Sequence, residues 1–88
     1  MHGFRKSLLA AAEQSYKAGE IDRSDVFRLR LATSLPRVLA RLEADCCDEA
    51  ASRGLASATA IDWQQLIPLL REMLPVILEI VKSVISLF

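Results

Sequence analysis

Laid on a helical wheel at about 100° per residue, residues 64–88 separate so completely into two faces that one side of a C-terminal helix must be buried against something. Gln64, Gln65, Pro68, Arg71, Glu72, Pro75, Glu79, Lys82, Ser83 and Ser86 share an arc of about 120°, and everything else is apolar, across about 200°. An ordinary surface helix carries an apolar stripe a little over about 100° wide, so this one has roughly twice the usual demand for cover. Asp62-Trp63-Gln64-Gln65 reads as a capping box and Ile61 can staple onto Leu66, which predicts a helix over about 62–87, roughly 40 Å long. Pro68 and Pro75 fall near the middle of the polar arc, where water can satisfy the carbonyls left unpaired and the helix can bow its apolar side around a partner surface.

Upstream, Phe4, Leu8, Ala12 and Tyr16 recur every fourth residue and predict a helix over about 4–18, ended by Gly19. Asp22 is placed to cap the next helix, with Ile21 stapled onto Val26. From there Phe27, Leu31, Leu35, Val38, Leu39, Leu42 and Cys46 mark an apolar stripe, interrupted by Pro36, through a helical stretch at about 22–53. Either one helix bends at the proline or a second begins with it. Ala40, Ala44, Cys47 and Ala51 form a line of small side chains along which another helix could approach closely. Arg53-Gly54 ends the stretch, and residues 55–60, small and unpatterned, read as a linker. The expected fold is therefore an all-α small helical bundle of three to four helices, one domain over 1–88, with a long apolar C-terminal helix.

Chemistry is scarce. Cys46 and Cys47 are adjacent and cannot close a useful loop, and His2 is the only imidazole, so neither a disulfide framework nor a cysteine nucleophile with its base is expected. Asp45, Cys46, Cys47, Asp48 and Glu49 crowd one turn without a histidine partner, so no metal site is read from them. Gly3, Gly19 and Gly54 are too scattered for a phosphate loop. The sequence thus predicts no enzyme and no cofactor. Eleven basic residues balance eleven acidic ones, which argues against nucleic acid, although Arg23, Arg30, Arg37 and Arg41 would line one face if the helix ran through Pro36. The halves differ in sign: residues 1–44 carry eight basic and five acidic side chains, residues 45–88 three and six. The apolar run near the N-terminus stops at Glu13, too soon for a secretory signal, so a cytoplasmic or virion location is expected.

The succession of "AGEIDRSDVFRLRLA", a proline, a polar helix and the segment "IDWQQLIPLLREMLPVILEIV" resembles short helical proteins encoded by marine bacteriophages, over Lys17 to Val81. That resemblance implies a phage accessory or virion-associated protein and carries over no functional residues.

Together these features predict a non-enzymatic structural or assembly protein, a homo-oligomer or part of a larger complex, joined through Leu70, Met73, Leu74, Ile77, Ile80, Val81, Ile85 and Phe88. Two alternatives remain open. The arc could meet a membrane as a lysis or pore-forming helix would, although Glu72 and Glu79 offset Arg71 and Lys82 on its polar face. It could also be the core of a monomeric three- or four-helix bundle, which the alanine-rich remaining helices are expected to cover poorly.

Overall fold

In the computed structural model the chain forms four α-helices, described over residues 2–55 and 61–86: α1 (His2–Lys17), α2 (Arg23–Thr33), α3 (Pro36–Ser52) and α4 (Ile67–Ile85). A 3-10 turn, Trp63–Leu66, leads into α4, and the described residues contain no strand. The all-α bundle is therefore the fold.

Each helix boundary has a local cause. Two ends use a glycine in the left-handed region, Gly19 at φ 77° and Gly54 at φ 71°. In both, paired backbone bonds close the end: Gly19 N donates to Tyr16 O and Glu20 N to Ser15 O, and likewise Gly54 N to Ala51 O and Leu55 N to Ala50 O. At the start of α2, Asp22 Oδ1 accepts from Asp25 N at 2.8 Å and Asp25 Oδ2 accepts from Asp22 N at 3.3 Å. This is a reciprocal box with aspartate where glutamate is usual.

Those bonds, from the Asp25 backbone first and the Ser24 hydroxyl second, hold the Asp22 carboxyl below the usual aspartate range. A carboxyl depressed by folding stabilises the fold above its unfolded pKa, about 3.9, and loses that contribution as pH falls through the folded value. Asp22→Ala should therefore lower the thermal midpoint at neutral pH, with the gap to wild type closing in acid. Circular dichroism melts at the two pH values would check it, and an equal gap at both would contradict the capping role.

Pro36 breaks the chain and does not bend it. Ser34 closes α2, Leu35 is extended at φ −99°, ψ 111°, and Pro36 occupies the first turn of α3, where its missing N–H has no helical partner to lose. The consequence is rotational. A single helix would have carried the stripe from Phe27 and Leu31 straight into Val38 and Leu42, but α2 instead turns Leu29, Ala32 and Thr33 inward. Phe27 is left 65% exposed and Leu31 42%. On α3 the buried line is Val38, Leu42, Cys46 and Ala50, while Ala40, Ala44 and Ala51 face solvent. The expected close approach along that second line does not occur.

The C-terminal helical segment runs from Trp63 to Ile85 but does not open as the expected α-helix. Asp62 caps Gln64 N at 3.2 Å, and Gln65 N bonds Asp62 O, so the chain opens in the tighter 3-10 form and becomes α-helical only at Ile67. Pro68 consequently falls in the first turn, and Pro75 alone is inside the helix, on its exposed side. The core gathers Phe4, Leu8, Ala11 and Ala12 from α1, Leu29 and Ala32 from α2, and Val38, Leu42 and Cys46 from α3 around Trp63 and the inner face of α4. Trp63 stands edge-on to Phe4, ring centres 4.8 Å apart.

Candidate interaction surface

The fate of the wide apolar arc decides what surface remains. Of the residues expected to meet a partner, Leu70, Leu74, Ile77 and Val81 are 0, 1, 2 and 0% exposed and belong to the core. Met73, Ile80 and Ile85 are half-buried, and Phe88 lies outside the described residues. For the four buried positions the expectation is corrected, and the reason lies in α1. Its buried Ser7, Ala11, Ala12 and Ser15 bring little bulk but let the helix backbone come close. Counting large apolar side chains therefore underestimated how much of the arc the chain covers by itself. The radius of gyration, 12.3 Å, matches the about 12 Å of a compact chain of this length.

What stays open is one shoulder of the arc. Val76 is 59% exposed, and Met73, Ile80 and Val84 beside it at three- and four-residue steps are only half-buried. Glu72 and Glu79 border this shoulder on its polar side. Arg53 at the end of α3 bonds both Glu49 at 2.9 Å and Glu72 at 3.0 Å, and Glu72 remains 61% exposed. Arg71 reaches Glu20 at 3.0 Å, tying α4 to the turn after α1 and drawing the Glu20 carboxyl below its ordinary range. The two contacts sit on the polar side of α4 and leave the shoulder free.

A second apolar exposure lies on α2, at the start of the apolar stripe that the sequence marks from Phe27. Phe27 and Leu31 face outward, flanked by the exposed Arg23 and Arg30. Arg23, Val26, Phe27 and Arg30 line an open groove of about 420 Å³ with Glu13 and Tyr16 of α1. Among the described residues neither Arg23 nor Arg30 forms an ion pair, whereas Arg28 pairs with Asp25 at 3.1 Å. The Pro36 break also divides the supposed arginine stripe, leaving Arg23 and Arg30 on α2 and Arg37 and Arg41 on α3. The signal that could have found this face was Leu29, which sits opposite Phe27 on the α2 wheel.

The cysteines are free thiols, Cys46 buried and Cys47 half-buried. Burial first, and then the neighbouring Asp45, push Cys46 up to about 12, so it carries almost no thiolate at neutral pH. Burial also raises Cys47, with Glu43 and Asp48 adding to it. A thiol reagent should modify Cys47 in the native protein and Cys46 only on unfolding. Rapid native labelling of both, followed by mass spectrometry, would contradict this packing. Among the described residues no three His, Cys, Asp or Glu side chains gather as metal ligands, and no helix is long and apolar enough to cross a membrane.

Comparison with protein-family models, with curated proteins and with solved structures finds no match.

Proposed function

We propose that the protein is a non-enzymatic assembly module that associates with other copies of itself through the open shoulder of α4. The observation that carries this reading is Val76, 59% exposed between the half-buried Met73 and Ile80 on a helix whose inner side is core. The interface is narrower than the whole arc, because Leu70, Leu74, Ile77 and Val81 are already occupied within the chain. A thiol held protonated by burial is a poor nucleophile at neutral pH, which supports binding over catalysis. The resemblance to phage proteins would place such a module in a virion or among accessory proteins.

Each apolar side chain on the shoulder gains about 1.5–3 kcal/mol on full burial, and half-buried ones proportionately less. Association should therefore be reversible and concentration-dependent, and should not be the permanent dimerisation that a fully exposed arc would impose. Light scattering on the purified chain across concentration tests it. A mass that rises with concentration supports the reading, and a monomer at every concentration overturns it. Flotation with anionic vesicles in place of self-association would instead favour the membrane alternative.

A further inference from the structure

The open faces of α2 and α4 carry the same pattern with opposite charge. On α2 the exposed residues are Arg23, Phe27, Arg30 and Leu31, and on α4 the shoulder carries the exposed Glu72, Val76 and Glu79 with the half-buried Ile80, separated in both cases by four, three and one. At about 100° per residue, both arginines fall about 40–60° to one side of Phe27, and both glutamates fall by the same angle to the same side of Val76. Leu31 and Ile80 lie to the other side. Phe27 and Val76 are 65% and 59% exposed, and all four charged side chains are exposed; among the described residues Arg23, Arg30 and Glu79 form no ion pair, while Glu72, 61% exposed, shares Arg53 with Glu49.

We propose that α2 of one copy packs antiparallel onto the α4 shoulder of a second copy, Phe27 against Val76, with Arg30 beside Glu72 and Arg23 beside Glu79. The orientation follows from the handedness of the pattern. Two helices that bear charge on the same side of their apolar ridge bring those charges together only when they run in opposite directions; run parallel, the charges fall on opposite sides of the seam. In the antiparallel arrangement each arginine and glutamate pair is level to within about one residue, 1.5 Å. Leu31 then lies near Met73, extending the apolar contact past the central pair. The chain has no net charge, so recognition rests on this local matching and not on a long-range field. The two surfaces differ, so the contact is heterologous. A dimer built on one such contact keeps one α2 face and one α4 shoulder free, and closure into a ring or growth into a filament depends on the rotation between copies.

This inference deepens the assembly reading and rests on it, and the experiment separates the two. Sedimentation velocity across concentration, at low salt, would compare wild type with R23E/R30E, with E72R/E79R, and with a chain carrying all four reversals. Each double variant should lose about tenfold or more in association, since both pairs become repulsive. The fourfold variant should recover it, and so should an equimolar mixture of the two double variants. Circular dichroism confirms the fold, and R23Q/R30Q and E72Q/E79Q replace any reversal that unfolds, with weakened association expected. Wild-type association that neither double variant weakens, or that the fourfold variant fails to recover, would overturn the α2-to-α4 contact while leaving self-association standing. A wild-type monomer at every concentration would overturn both.

Discussion

Replacing Val81 by aspartate should leave no folded protein, whereas the same replacement at Val76 should leave the helical spectrum unchanged. The two valines are five residues apart on α4, yet Val81 is 0% exposed and Val76 59%. At Val81 an aspartate would lose the burial of the valine, about 1.5–3 kcal/mol, and would place a carboxylate within the apolar core cluster. An uncompensated buried charge costs about 3–5 kcal/mol. A domain of this size has about 5–15 kcal/mol in total, and a small core places it toward the lower end. Circular dichroism and solubility of the two variants decide the matter. A folded, dissociated Val81→Asp monomer would mean that Val81 is an interface residue after all.

Trp63→Ala should cost about 3–5 kcal/mol, the usual range for truncating a buried tryptophan, and so consume much of the remaining stability. Trp63 is 5% exposed and lies edge-on to Phe4, which is itself fully buried. It is the side chain that fastens the 3-10 turn before α4 to the first turns of α1. Losing it removes the aromatic contact and opens a cavity that Gly3, with no side chain, cannot refill. Denaturant unfolding followed by far-ultraviolet circular dichroism would measure the change. A loss under about 1 kcal/mol would mean that the turn is held by other contacts.

Helix ends were the most legible part of this chain. Gly19, Gly54 and Asp22 act through their own backbone neighbours, so their roles could be read without knowing the tertiary arrangement. The α1 stripe of Phe4, Leu8 and Ala12 was equally plain, although Tyr16 at its end is 38% exposed. The face of α2 was not legible, because Phe27, Leu31 and Leu35 continue smoothly into α3 in sequence while Pro36 breaks that continuity in space. The α4 interface was only partly legible. Its apolar width could be read from the wheel, but the part left open depended on how closely small residues on α1 let the helices approach. Met73 and Ile80 are only half-buried, and Val76, 59% exposed, was not singled out.

The separation of α2 from α3 at Pro36 also bears on when the molecule can assemble. An eleven-residue helix anchored inside by Leu29, Ala32 and Thr33 is short for independent stability and joins the bundle through few buried groups. In amide hydrogen exchange it should open at lower free energy than α4, which buries six residues. If α2 carries the contact to a neighbouring copy, every docking event must first find it closed, and docking in turn holds it shut. Folding of this helix and growth of the assembly would then be one linked equilibrium, in which protein concentration acts as a stabilising ligand and warming depolymerises before it unfolds.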